Sequence, residues 1–230
     1  MPSRRIRPLT AADLDTLPDP CGTCTFWETG LTELASSGEH RDHAGVKAAW
    51  AEAVTARWGY CGVMAVNDGR TIGYLTMAPA LLVPRLGAFA TTPVSQDAAV
   101  VLSARVMEGF RGKGIGRQMV QSAAAMVARR DIRALEAVGT YREGPSCMLP
   151  TGWLEAVGFV VVRDHPATPR LRMDLQSTVR WRPDLAAAWS RLTGLVSQTV
   201  PPEPAGFEPA PRDLLTVRDG VWRTGPYTGH

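Results

Sequence analysis

One six-residue segment, RGKGIG at positions 111–116, restricts the fold of this chain more than any other feature. It stands between an almost continuously apolar run over 98–106 and a segment with apolar residues at helical spacing. Alternating glycines let a backbone turn tightly and expose its amide groups, and the following helix adds unpaired first-turn N–H groups and the positive end of its dipole. Arg111 and Lys113 add two cations. The segment, named here the glycine loop, therefore predicts a site for a pyrophosphate.

Other interpretations of the glycine loop fit less well. A P-loop requires Ser or Thr after Gly-Lys, whereas Lys113 is followed by Gly114. The dinucleotide fingerprint G-x-G-x-x-G requires glycine at Arg117. Glu136 stands near the position of a ribose-binding acid, but too few strands follow it to build a second nucleotide-binding half. A NAD-binding protein and a merely solvated, glycine-rich connection remain as alternatives.

The order of predicted elements is that of an α/β protein with one central mixed sheet flanked by helices. Asn67 to Arg70, NDGR, is typical of a hairpin turn between two antiparallel strands. The pattern predicts strands at 4–9, 61–66, 71–77, 98–106, 134–138, 159–163 and 171–175, and helices at 43–58, 115–130 and 150–157.

Length and composition indicate one domain with an appendage. A chain of 230 residues, 45% of them hydrophobic, can bury the core of one sizeable domain but hardly of two. We place that domain at residues 1–180. Residues 181–230 are assigned to a C-terminal helix and a proline-rich tail, which is partly mobile or docks on a partner subunit, as in a homodimer.

The charge and the apolar runs argue against some partners. A net charge of +3 is too small to indicate a nucleic-acid or membrane surface. We find no secretory leader and no apolar run of membrane-spanning length. The expectation is a soluble cytoplasmic protein that binds neither nucleic acid nor membrane.

Residues Val106 to Arg117, VMEGFRGKGIGR, resemble the acetyl-CoA signature of the GNAT superfamily of N-acetyltransferases, arginine-x-x-glycine-x-glycine. A second segment, WLEAVGF from Trp153 to Phe159, is similar to the helix-to-strand end that closes the cofactor cleft in that superfamily. The order of elements from Arg4 to Leu175 matches its fold.

The resemblance implies a GNAT-like acyl-CoA N-acyltransferase fold and acetyl-CoA as co-substrate. It implies that the acetyl group moves by direct attack, in a ternary complex, to a primary amine on a small molecule or a peptide. The backbone at Val106 would pair with the pantetheine arm. The remaining cofactor-binding residues would be Arg111, Gly112, Lys113, Gly114, Ile115, Gly116 and Arg117. A non-catalytic acetyl-CoA-binding or sensing module is the alternative from another functional class.

Two departures from the family pattern leave the proton-transfer groups open. Glu108 stands where the family often has proline, and Leu154 stands where many members have a tyrosine that protonates the departing thiolate. Because an ammonium of pKa about 10.4 must lose a proton before it attacks, a general base is useful.

Glu136, the only carboxylate in its short apolar strand, is the first candidate for the base. A solvent-facing or arginine-paired carboxylate is the structural alternative. Glu108 and then Glu28 follow as candidates. Cys147 and Ser146 are candidate proton donors to the leaving sulfur, and Cys147 could also be a nucleophile or an incidental thiol.

Cysteine and histidine pairs near the N-terminus approximate the spacing of a zinc site: Cys21-x-x-Cys24 and His40-x-x-His43. The histidines are one residue closer together than in the usual zinc finger. Free thiols and two surface histidines are therefore the expectation, and no metal is predicted.

Overall fold

A mixed sheet lies at the centre of the part of the chain that the structure describes, and helices cover both of its faces. The structure, a computed structural model, describes residues 4–31, 42–142, 144 and 146–175. The strands are β1 Arg4–Leu9, β2 Gly62–Asn67, β3 Arg70–Pro79, β4 Ala98–Val106, β5 Ala134–Thr140, β6 Leu149–Pro150, β7 Val160–Arg163 and β8 Arg170–Asp174. The helices are α1 His43–Trp58, α2 Ile115–Ala128 and α3 Thr151–Val157, with 3-10 turns at Ala11–Thr16, Ala80–Leu82 and Pro84–Ala88.

The strands follow the order β1-β2-β3-β4-β5-β8-β7, and the short β6 pairs with β5. β1 to β4 are antiparallel neighbours, whereas β4 and β5 are parallel. The turn between β2 and β3 holds Asp68 at φ 50° and Gly69 at φ 79°. Both values lie in the left-handed region that a two-residue type I′ turn requires, so the NDGR segment forms the predicted hairpin.

Side chains of each strand alternate between two cores, one on each face of the sheet. In β3, Leu75 and Met77 point to one core, and Tyr74 and Ala78 to the other. α2 covers the first core with the predicted apolar stripe, and α1 covers the second. Buried residues of α2 include Ile115, Met119, Ala123 and Val127, and those of α1 include Trp50, Ala51 and Val54. Each fully buried Leu, Ile or Met side chain stabilises the fold by about 1.5 to 3 kcal/mol.

The sheet opens between β4 and β5. The two strands pair only where Ala98–Val100 faces Ala134–Glu136, and β5 then pairs with β6 at Gly139 and Thr140. Within the described residues, no strand pairs with the β5-facing side of β4 from residue 101 to residue 106. This stretch is named here the open edge of β4. Its backbone N–H and C=O groups are available to a ligand that lies in the gap.

Several predicted boundaries shift by one or two residues, as is usual at element ends. Pro150 precedes α3 as its N-cap instead of starting it, and α2 ends at Ala128. The predicted helix after Arg182, the proline-rich tail and the boundary at residue 180/181 concern residues outside those described. None of the helices in the described part of the chain has the length and apolar character needed to cross a membrane.

Candidate functional site

The glycine loop joins β4 to α2 and has the backbone geometry that its sequence predicts. Gly112 at φ 72° and Gly114 at φ 74° occupy the left-handed region, where any other residue is strained. A Cβ placed on either glycine would have no atom within 4 Å. The space beside both glycines is therefore open to a ligand, and the glycines are required by backbone conformation rather than by protein packing.

The N-terminus of α2 is free to bind an anion. Gly114 is its N-cap, no side chain caps it, and its first turn contains no acidic residue. The first hydrogen bond of this end runs from the N–H of Gln118 to the carbonyl of Gly114 at 3.1 Å. The preceding amides of Ile115, Gly116 and Arg117 thus have no intrahelical partner and point toward the loop with the positive end of the helix dipole.

Three exposed cations lie in the loop or directly after it, and within the described residues each donates to a backbone carbonyl. Arg111 Nε lies 3.3 Å from the Val106 carbonyl, and Lys113 Nζ lies 2.9 Å from the carbonyl of Gly109. Arg117 donates to the carbonyl of Ala156 at the end of α3. Because no carboxylate neutralises them within the described residues, the loop suits a doubly charged pyrophosphate.

A pocket of about 670 Å³ extends from this loop along the end of β4. Ser103, Ala104 and Arg105 form its β4 wall, and Arg111 stands at its border. Further lining residues come from two other segments: Pro20, Cys21, Cys24 and Trp27 from the first, and Gly144, Ser146, Cys147 and Pro150 from the second. The pocket therefore lies next to the open edge of β4, and a ligand in the gap of the sheet could reach it.

A buried ion pair supports the pocket wall. Lys47, which lines the pocket, places Nζ 2.5 Å from Glu28 Oε1, and the two side chains are only 5% and 1% exposed. Lys47 also lies 5.0 Å from the centre of the Trp50 ring. The other carboxylate oxygen of Glu28 is buried and has no hydrogen-bond partner among the described residues. Glu28 is thus close to the pocket, as the sequence suggested, but it is the counter-ion of Lys47.

Glu136 is fully buried, and guanidinium groups bind both of its oxygens. Oε2 lies 2.5 Å from Arg170 Nη1, and Oε1 lies 3.1 Å from Arg172 Nη1. The backbone N–H of Ser95 donates to Oε2 at 3.2 Å. Glu136 does not line the pocket. The structure therefore has the arginine-paired arrangement that the sequence left open, and we no longer assign the base to Glu136.

Glu108, the second carboxylate candidate, lies in an exposed turn after β4 and is not a lining residue of the pocket. Cys147 does line it, next to Ser146. Its Sγ lies 3.2 Å from Cys24 Sγ. The structure thus brings Cys147 to the pocket with a partner thiol that the sequence analysis did not connect with it.

Tyr74 and Ser103 also line the pocket and were not predicted to do so. The Ser103 hydroxyl lies 2.7 Å from that of Thr76. Burial raises the pKa of Tyr74, and its interaction with Cys21 raises it further, so its hydroxyl stays protonated. The alternation of Tyr74 and Thr76 with two apolar residues was the available signal, because it marks two polar groups on one face of β3.

The possible zinc ligands do not form a common site within the described residues. Cys24 faces Cys147, and His43 Nδ1 lies 2.8 Å from the hydroxyl of Thr25. The part of the chain that the structure describes contains no group of three or more His, Cys, Asp or Glu residues placed to hold a metal. His40 lies outside it.

The sheet thus opens between two parallel strands, and the glycine loop and the N-terminus of α2 lie at the opening. A family model described as the acetyltransferase (GNAT) family matches residues 25–145, more than half of the chain. This protein belongs to the GNAT acetyltransferase family. Its predicted family and fold are thereby confirmed, and so is acetyl-CoA, the co-substrate of GNAT enzymes, as its co-substrate.

The chain is also similar to solved N-acetyltransferase structures. PaiA N-acetyltransferase from Thermoplasma acidophilum in complex with coenzyme A has 14% identity and a TM-score of 0.46, over 75% of this chain and 99% of that one. An N-acetyltransferase from Staphylococcus aureus Mu50 has 17% identity and a TM-score of 0.48, over 75% and 99%. Aminoglycoside acetyltransferase AAC(6')-Ib in complex with coenzyme A has 18% identity and a TM-score of 0.48, over 78% and 99%. A search of curated proteins finds no match.

Proposed function

We propose that this protein is an N-acetyltransferase that moves the acetyl group of acetyl-CoA to a primary amine by direct attack in a ternary complex. The observation that carries the proposal is the contiguity of three features. The glycine loop, the open edge of β4 and the pocket adjoin one another, with Arg111 common to the loop and the pocket.

In this proposal the glycine loop and the first turn of α2 hold the pyrophosphate of acetyl-CoA. Their donors are the free amides of Ile115, Gly116 and Arg117, and their charges come from Arg111 and Lys113. The pantetheine arm pairs with the open edge of β4 as an added strand would, ending its contacts near Val106.

Bound acetyl-CoA supplies a thioester carbonyl that an amine can attack. Backbone N–H groups of the open edge of β4 would polarise that carbonyl, because the sheet holds them in fixed positions before the reaction begins. The pocket would hold the amine next to the thioester carbonyl. Positioning two reactants in this way can supply about 7 to 11 kcal/mol of the barrier.

The acceptor is assigned to the pocket between β4 and segment 20–27. Its volume of about 670 Å³ suits a small-molecule amine or one amine-bearing side chain of a peptide.

Incubation with acetyl-CoA and a broad panel of primary amines should yield an acetylated product and free CoA. Peptides, polyamines and aminoglycoside-like compounds belong in that panel, with product detected by mass and thiol release followed in parallel. Acetyl-CoA alone should stabilise the protein, by about 2.7 kcal/mol at a concentration of 100 times Kd. Stabilisation without turnover on any amine would indicate a non-catalytic acetyl-CoA-binding module, and stabilisation by NAD but not by acetyl-CoA would refute the proposed site.

A further inference from the structure

Two thiols are in contact in the lining of the pocket, although 123 positions separate them in the sequence. Cys24 Sγ and Cys147 Sγ are 3.2 Å apart, and both residues are free cysteines that line the pocket. Within the same pocket lie Ser103 to Arg105 of β4. The pair is therefore in the space where the amine and the acetyl group would meet.

A hydrogen bond and an aromatic cluster lie beside the contact between the two thiols. Trp27 Nε1 donates a hydrogen bond of 3.0 Å to the carbonyl of Cys147, so the segment after Cys24 is tied directly to the segment that carries its partner. The Trp27 ring is almost fully buried and packs edge-on against Phe26 and beside Phe89. The buried Trp27 side chain thus links the two segments that carry the cysteines.

We propose that Cys24 and Cys147 share one proton and act as the base and the acid of acetyl transfer. This inference rests on the proposed N-acetyltransferase function and adds the residues that move the protons. It replaces the carboxylates predicted from the sequence, since Glu136 and Glu108 lie outside the pocket lining and Glu28 is paired with Lys47.

The local electrostatics agree with a single shared proton. The contact with Cys147 lowers the pKa of Cys24 to about 6, although burial raises it, and the backbone N–H of Phe26 lowers it further. The same contact raises the pKa of Cys147. Because two thiolates this close would repel each other, the pair loses its first proton readily and retains its second.

Three other titratable side chains act on the pair. The positive charge of Lys47 lowers the pKa of both cysteines, while the carboxylate of Glu28 raises that of Cys24. Cys21 raises the pKa of Cys147. Lys47 therefore works in the direction that keeps a thiolate in the pocket at neutral pH, and Glu28 partly opposes it.

One catalytic cycle returns both cysteines to their starting protonation states. The Cys24 thiolate takes one proton from the ammonium, and the resulting amine forms a C–N bond to the acetyl carbon. As the C–S bond breaks, Cys147 donates its proton to the departing CoA thiolate, and the second ammonium proton passes to water. The proton on Cys24 then moves to the Cys147 thiolate, which restores the starting state.

The two steps are ordered by the pair itself. Once Cys24 is protonated, the negative charge that raised the pKa of Cys147 is gone. Burial and Cys21 still raise the pKa of Cys147, but it is lower than before, so Cys147 can donate its proton more readily to the departing thiolate. Cys147 is therefore a better proton donor after Cys24 has accepted a proton than before.

The first test needs no acceptor. With the protein kept reduced, the rate of Cys24 alkylation by iodoacetamide should reach half its plateau near pH 6, measured peptide by peptide by mass spectrometry. In Cys147→Ala this midpoint should move up toward the usual value of about 8.5. A wild-type midpoint near 8.5, or a midpoint unchanged in Cys147→Ala, would overturn the shared proton.

The second test measures turnover with an amine from the active panel. Cys24→Ala and Cys147→Ala should each lower kcat by roughly 10²- to 10⁴-fold, and the double variant should lose no more than the worse single variant. Acetyl-CoA should still stabilise all three proteins. Cys61→Ala is the matched control, because Cys61 is a buried core thiol outside the pocket lining, and its turnover should be unchanged.

Failure of this inference can be separated from failure of the proposed function. Silence of the wild-type protein over the whole amine panel would overturn both. An active wild-type protein with undiminished turnover in either single variant would overturn the cysteine pair alone. So would loss of turnover in Tyr74→Phe together with normal turnover in Cys147→Ala, because Tyr74 would then be the proton donor.

Discussion

Replacing Gly114 with aspartate should abolish the stabilisation of this protein by acetyl-CoA and, with it, acetyl transfer. Gly114 has φ 74° and begins the free end of α2. A carboxylate there would stand next to the bound pyrophosphate, and two like charges 4 Å apart repel by about 4 kcal/mol at an effective dielectric constant of 20. That energy corresponds to a loss of affinity of about 10³-fold. Thermal unfolding with and without acetyl-CoA measures it.

Two variants separate charge from backbone strain. Gly69→Asp makes the same substitution at φ 79°, also with no atom within 4 Å of the new Cβ, in the turn between β2 and β3. It should lower stability without changing the acetyl-CoA shift. Gly114→Ala brings the strain without the charge and should keep most of the shift. A folded Gly114→Asp protein that acetyl-CoA stabilises as well as wild type would remove the glycine loop as the cofactor site.

Glu136→Gln should destabilise the fold by about 3 to 5 kcal/mol, because it removes the buried charge that pairs with Arg170 and Arg172. Arg172 keeps its ion pairs with Asp97 and Asp174, so the larger part of the loss concerns Arg170. A glutamine can accept from one arginine, but its NH2 group then faces the other. The effect should appear in urea unfolding and should be large against a typical total stability of about 5 to 15 kcal/mol. Turnover per folded molecule should stay near the wild-type value at every pH.

Asp97→Asn is the matched control for Glu136→Gln. Asp97 also binds Arg172, at 3.0 Å, but its side chain is 40% exposed, so its loss should cost at most about 1 kcal/mol. A Glu136→Gln protein of normal stability that loses turnover by about 10²-fold or more, with recovery as pH rises, would return the base to Glu136.

The glycine loop could be predicted from sequence because its requirements are local. Left-handed φ values at Gly112 and Gly114 and a free helix N-terminus are encoded within a few consecutive residues. The hairpin between β2 and β3 was predictable for the same reason, since Asp68 and Gly69 supply the turn conformation themselves.

The role of Glu136 could not be predicted because it depends on strand register. Arg172 stands directly opposite Glu136 in the pairing of β5 with β8, and Arg170 reaches the same carboxylate from two positions away. The sequence shows a carboxylate in an apolar strand, but it does not show which residue of a distant strand lies beside it. A shift of one residue would have turned these arginines to the other face.

The cysteine pair depends on still longer-range structure. Cys24 lies in a segment without regular structure, and Cys147 follows β5. Their contact follows from the fold of the segments between them, including the Trp27 hydrogen bond to the Cys147 carbonyl. The sequence identified Cys147 as a candidate but related Cys24 to Cys21 and the histidines, because cysteines near each other in sequence were the only visible pattern.

The open edge of β4 also bears on how fast the enzyme can turn over. If the pantetheine arm completes the ladder there, CoA can leave only after the hydrogen bonds of an added strand are broken. Acetyl-CoA and free CoA carry the same pantetheine arm, so the chemical step does not weaken these hydrogen bonds. Free CoA should therefore compete with acetyl-CoA on nearly equal terms. The rate of acetylation would in that case follow the ratio of the two forms of the coenzyme more closely than the amount of either.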